Sequence, residues 1–200
     1  AEGDDFRTVG GDYYKPTDAD YEANCDEARQ LLADAGYPNG EGFPVVEYLY
    51  NTSDAHKAVA EALQFMWEEE LGVKVTLNNQ EWAAFLQTRK DGDYSIARNG
   101  WIADYNDPIS FLDMWMTGGG NNDAQYANDD YDALIKQAKT TTDNAERMDL
   151  LHQAEDKLIG EDSVLAPLYF YTQKYMLADG IEGMYYCPLG YFFFGYTHQA

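Results

Sequence analysis

Cysteine occurs only twice in the 200 residues, as Cys25 and Cys187. Their separation offers no metal or redox spacing, and an optional disulfide and two buried thiols fit it equally well. Histidine is almost as scarce. His56, His152 and His198 form no H-E-x-x-H pattern, so neither a zinc site nor any other cofactor is expected. A G-x-S-x-G elbow, a Walker loop and a G-x-G-x-x-G turn are also lacking. Basic residues are few: 13 Lys and Arg face 36 Asp and Glu, for a net charge of -23. Such a surface repels a phosphate backbone, which excludes nucleic acid as a partner. It favours solubility and admits a cationic or zwitterionic ligand without identifying one. No apolar run approaches the roughly 20 residues needed to cross a bilayer. The first residues, Ala-Glu-Gly-Asp-Asp, lack the basic and apolar regions of a signal peptide. For an exported protein, a targeting segment and lipid anchor are therefore expected upstream of residue 1.

What is present suffices for one compact core, with 45% hydrophobic and 15% aromatic residues, and a single domain over 1–200 is expected. Asn24, with Glu27 three residues on, predicts a capped helix over 25–35 that Gly36 and Pro38 stop. A strand over 45–50 precedes Asn51-Thr-Ser-Asp, which caps a helix striped by Val59, Ala62, Leu63, Met66 and Trp67 and ending at Gly72. Val73, Val75 and Leu77 alternate as a strand. A helix over 81–89, a strand over 94–98 and a short helix over 108–116 follow. Two capped helices come next, the first carrying Tyr131, Leu134, Ile135 and Ala138, the second opened by Asp143 and Glu146. A strand is expected over 164–171, at an edge or bulged because Pro167 cannot donate to a ladder. The fold class is α/β, a mixed sheet flanked by helices. The terminal Tyr191-Phe-Phe-Phe-Gly-Tyr is costly to leave wet, so this chain or another part of a longer protein should cover it.

The residues offer little chemistry. Asp104-Tyr-Asn-Asp107 begins like a calcium loop, but Pro108 and Ile109 stand where a third ligand and a glycine are required. Asn51-Thr-Ser is formally a glycosylation sequon and is equally well explained as a helix cap. Carboxylates are abundant enough to suggest an acidic glycoside hydrolase, yet no spacing singles out a pair, and an enzyme is not expected.

Three segments carry a resemblance. Leu49-Tyr-Asn-Thr-Ser-Asp-Ala-His56-Lys, then Asn78-Asn-Gln-Glu-Trp82-Ala-Ala-Phe-Leu-Gln-Thr-Arg, then Ala97-Arg98-Asn-Gly100-Trp101-Ile-Ala-Asp104-Tyr-Asn-Asp-Pro resemble the oligopeptide-binding proteins of bacterial ABC transporters, extracellular solute-binding proteins of family 5. The likeness runs from about residue 25 to 180. It implies the C-terminal ligand-binding lobe of a larger two-lobe protein of the type II periplasmic binding-protein kind. It also implies an extracellular or periplasmic, monomeric receptor that closes on a short peptide and delivers it to an ABC permease. Asp104 matches the carboxylate that receives the ligand's α-ammonium; a desolvated ammonium needs such a partner. Arg98 and His56 match positions facing the peptide's carboxylate end. The first supplies a planar donor fork, and the second stands in the first turn of a helix, where the dipole favours an anion. Trp82 and Trp101 match aromatics lining side-chain pockets, and Gly100 belongs with them among the ligand-binding positions. Taken alone, Asp104 reads equally as a solvated loop residue or the cap of the following helix, Arg98 as a surface ion pair, and Trp82 as core. Ile102 departs from the pattern, standing where well-known relatives carry a disulfide-forming cysteine. Other relatives take oligosaccharides or nickel chelates, which are the alternative ligands.

Overall fold

The computed structural model describes residues 6–13, 17–187 and 189–200. They divide into two compact units, Ala1–Asn99 with Gly120–Ala127, and Gly100–Gly119 with Asn128–Ala200.

The first unit is built on β-α-β repeats. After α1 (Phe6–Gly10) and α2 (Tyr21–Asp34) come β1 (Val46–Asn51), α3 (Asp54–Leu71), β2 (Val75–Gln80), α4 (Trp82–Asp91) and β3 (Ile96–Ala97). The strands lie in the order β2-β1-β3 and are parallel throughout. The α/β expectation holds, with antiparallel pairing confined to the second unit. Each crossover carries a helix back over the sheet, as parallel neighbours require. In register, Val46 meets Val75 and Asn51 meets Gln80, while Leu49 meets Ala97. A central parallel strand is buried on both faces, which is why β1 carries the consecutive buried residues Tyr48, Leu49 and Tyr50. Tyr48 and Tyr50 point to one side, into a cluster with Ala60, Val73 and Val75 that Leu63 and Trp67 of α3 cover. Leu49 points to the other, where α4 packs on β1 with Phe85 fully buried.

The ends of α3 follow the sequence. Ser53 is extended and its carbonyl accepts from Lys57; Gly72 closes the helix in the left-handed region at φ 67°. Glycine is needed there twice over, since a Cβ on Gly72 would lie 2.3 Å from the Asn39 carbonyl oxygen. Edge strand β2 is bonded by α3 side chains: Gln64 Nε2 donates to the Val75 carbonyl at 2.7 Å, and Glu68 Oε1 accepts the Val75 N–H at 3.2 Å. The helix expected over 25–35 instead starts at Tyr21, led in by a 3₁₀ turn over Asp18–Asp20. Asn24 therefore lies inside it. Tyr21 and Arg29 both reach Glu70 of α3, so contacts between helices extend α2 beyond the local capping signal.

The second unit opens with α5 (Ile109–Leu112) and a 3₁₀ turn, Asp113–Trp115. Then come α6 (Asp129–Thr140) and α7 (Asn144–Glu155), the latter continuing as a π turn over Asp156–Glu161. Asn128 and Asp143 cap α6 and α7 through their side-chain oxygens. Tyr131, Ile135, Leu151 and Leu158 are fully buried, and the Tyr131 hydroxyl donates to the Leu112 carbonyl at 2.6 Å. Two antiparallel pieces end the chain: β4 (Ile181–Glu182) with β7 (His198–Gln199), and β5 (Tyr185–Cys187) with β6 (Tyr191–Phe193). The strand expected over 164–171 does not form. Pro167 interrupts its donors, and the run of apolar side chains finds no face to bury, Phe170 being 86% exposed. Nor does the aromatic end fold back under cover: Tyr191, Phe194 and Tyr196 stay exposed. Cys25 and Cys187 are both free thiols.

Candidate ligand-binding site

Parallel strands deliver their C-terminal ends to one edge of a sheet, the usual place for a ligand in an open α/β fold. Here that edge carries Asn51, Gln80 and Arg98. Asn51 ends β1 and is buried; Thr52 N–H donates to the Gln80 carbonyl at 2.9 Å, and Arg98 N–H to the Leu49 carbonyl at 2.8 Å. Asn51 joins two of the residues selected from sequence. Its side-chain oxygen accepts from Arg98 Nη1 at 3.4 Å, and its carbonyl lies 3.3 Å from His56 Nδ1, which must carry the proton to bond there. His56 stands in the first turn of α3, at the helix's positive end.

Trp82 opens α4 directly after β2, at the same edge. It is 53% exposed and stacks on Phe85 at 5.8 Å, so it is not a core residue. Arg98, His56 and Trp82 thus share the sheet edge of the first unit, whereas Gly100, Trp101 and Asp104 belong to the second.

In that second unit Asp104 does not end a strand. β3 stops at Ala97, paired with β1 only at Tyr48 and Leu49, and 101–104 are irregular. Asp104 is exposed, with its N–H held by Ser110 Oγ at 2.9 Å. It does not cap the next helix either. Asp107 does so, its Oδ1 accepting the Ile109 N–H at 2.9 Å. Both Asp107 oxygens also receive the Arg147 guanidinium, each at 2.8 Å. Burial is the largest single influence and alone would raise the Asp107 pKa; hydrogen bonds from Arg147 and the Ile109 N–H, together with the Arg147 charge, outweigh it and hold the carboxyl below its ordinary value. Trp101 is half-buried, its indole N–H enclosed without a hydrogen-bond partner among the described residues.

Three residues at the first unit's edge were not selected from sequence. Arg89 of α4 donates to Asp123 at 2.6 Å, to Asn99 Oδ1 at 3.0 Å and to the Arg98 carbonyl at 3.4 Å. Its guanidinium also lies 5.2 Å from the Phe85 ring centroid. Asp123 sits in the 120–127 segment, which returns to the first unit and also accepts the Tyr94 hydroxyl at its carbonyl, 2.9 Å away. Asn51 and Arg89 both lie within the segments quoted for the resemblance, whereas Asp123 lies outside them. No group of three or more potential metal ligands occurs among the described residues, and no helix is long and apolar enough to cross a membrane.

Known proteins align with this chain over the same segments. Residues 4–123 match the family model for bacterial extracellular solute-binding proteins, family 5, middle. The dipeptide-binding protein DppE of Bacillus subtilis is 39% identical over 191 residues, 95% of this chain and 34% of that protein. The substrate-binding domain of an oligopeptide ABC transporter from Bacillus anthracis superposes with a TM-score of 0.77 at 27% identity, over 99% of this chain and 38% of that one. OppA of Haemophilus influenzae in complex with the peptide RPPGFSPFR gives 0.62 at 37% identity, over 67% of this chain and 26% of its own. The chain spans about a third of the length of the curated relatives it matches. The resemblance read from sequence is thereby borne out, and the chain belongs to the bacterial extracellular solute-binding proteins, family 5.

Proposed function

We propose that this protein is the substrate-binding component of an ABC importer, capturing short peptides with free termini and delivering them to a membrane permease. Residues 1–200 would supply the C-terminal ligand-binding lobe of a monomeric two-lobe receptor, tethered outside the membrane by an N-terminal lipid anchor. The observation that carries the reading is the convergence of Arg98 and His56 on Asn51 at the C-terminal edge of a parallel sheet. A donor fork and the first turn of an 18-residue helix there suit a peptide carboxylate. Asp104, exposed and not engaged as a helix cap, suits the α-ammonium. Trp82 and Trp101 suit variable side chains through their flat faces, and Gly100 stands between Arg98 and Trp101 in the same motif.

Such a role needs no bond-making, so the protein is not an enzyme. Main-chain hydrogen bonds and terminal charges supply affinity, and lobe closure reports occupancy to the permease. Calorimetric titration of the full-length protein with a mixed tri- to pentapeptide pool tests this. Wild type binds with release of heat, and Asp104→Ala weakens binding by at least about thirtyfold, the usual effect of removing one partner of a desolvated charge pair. Binding of oligosaccharide or a metal chelate in place of peptide would keep the family but remove the roles given to Asp104 and Arg98.

A further inference from the structure

Asp104 has no side-chain hydrogen bond or ion pair among the described residues, so its carboxylate is aimed only by the backbone beneath it. That backbone is irregular from Trp101 to Pro108, and an exposed irregular segment keeps one position only if something ties it. Here the ties converge on a helix. Ser110, buried on α5, holds the Asp104 N–H, and its own N–H donates to the Asp107 carbonyl at 3.1 Å. Asp107 holds the Ile109 N–H and is gripped through both oxygens by Arg147. Arg147 stands in the first half of α7, whose N-terminus Asp143 caps and whose Leu150, Leu151 and Ala154 are buried. The pair is largely shielded, with side-chain exposures of 20% and 25%. A two-bond fork fixes orientation as well as distance, which a lysine's point charge does not.

We propose that Arg147 is a positioning residue for ligand capture: through Asp107 it fixes the Asp104–Ser110 turn, and with it the carboxylate that receives a peptide's α-ammonium. The inference rests on the role given above to Asp104. It deepens that role by locating the source of amine selectivity in a residue that does not touch the ligand. A charge pair loses strength when one partner drifts by about an ångström, so loosening the turn weakens the ammonium contact and leaves the rest of the ligand's contacts alone.

Selectivity is therefore the quantity to measure. The full-length wild type, Arg147→Gln and Arg147→Lys are titrated with an equimolar tripeptide pool and with the same pool N-acetylated. Wild type prefers the free-amine pool by at least about thirtyfold. Arg147→Gln lowers that preference about tenfold while affinity for the acetylated pool stays within about twofold, and Arg147→Lys falls between the two. Should the glutamine variant lack a cooperative melting transition, the lysine variant decides alone, with a loss of about threefold expected. Equal weakening of both pools means a merely structural role and overturns the proposal. A wild-type preference that survives intact in the variants removes Arg147 and leaves Asp104 in place, whereas no preference in the wild type removes both.

Discussion

Replacing Arg89 by methionine keeps most of the aliphatic stem over Phe85 and deletes the guanidinium that joins α4 to the 98–99 and 120–127 segments. Arg89 and Asp123 are only 14% and 10% exposed, so the change strands a carboxylate in a largely dry site. Breaking a buried ion pair from one side costs about 3–5 kcal/mol. The Asn99 and Arg98 acceptors, which water can partly reach, add about 0.5–1 kcal/mol each at most. We therefore expect Arg89→Met to destabilise the protein by about 3–7 kcal/mol. Removing both charges, as in Arg89→Met with Asp123→Leu, should restore about 2 kcal/mol of that loss, because no charge is left unpaired. Urea unfolding of the full-length protein gives the free energies. Hydrogen exchange at the Arg98 amide, bonded to the Leu49 carbonyl at 2.8 Å, reports whether the strand end loosens. A single-variant cost below about 1 kcal/mol, or a double variant whose cost is the sum of the two singles, would refute the claim that this pair holds the sheet edge together.

Two further perturbations separate local causes. Gly72→Ala meets both a left-handed backbone and the Asn39 carbonyl and should cost ~2–4 kcal/mol, whereas Gly42→Ala, at φ 77° with open space around it, should cost only ~1–2 kcal/mol. Equal melting-temperature losses in the two would show that the contact with Asn39 contributes nothing. The depressed Asp107 pKa favours the folded state at every pH above the ordinary aspartate value and ceases to do so as pH falls through the lower folded value. Thermal melts between about pH 5 and pH 2 should accordingly show a smaller acid-induced loss for Asp107→Asn than for wild type, and parallel curves would contradict the Arg147 pairing.

Features whose cause is local were legible in the sequence. Ser53 and Gly72 bound α3 because an N-terminal cap position and a left-handed stop act within a turn of the helix, and Asp143 opens α7 likewise. The β-α alternation was legible too, but not that its sheet would be entirely parallel. Features that depend on distant partners were less visible. Arg29 and Tyr21 lengthen α2 through Glu70, a residue more than forty positions away. At the candidate site, the sequence pointed to Arg98, His56 and Asp104 through a family pattern. The residues that hold them, Asn51, Arg89 with Asp123, and Arg147 with Asp107, became visible only once separated segments were brought together. The failed strand at 164–171 teaches the complementary point, since a run of apolar and aromatic residues states a preference for a sheet and cannot supply the neighbour.

The short paired strands at the end of the chain bear on how this polypeptide behaves in a test tube. β5–β6 presents open ladder edges beside the stacked rings of Tyr185 and Phe193, and Phe194 and Tyr196 lie bare next to it. At low ionic strength a net charge of -23 keeps such copies apart. Added salt shortens the reach of that repulsion to about 10 Å at 0.1 M, while apolar attraction persists. For residues 1–200 on their own, a physiological buffer is therefore harsher than dilute Tris, and the usual remedy of raising salt to quiet a sticky protein works in reverse.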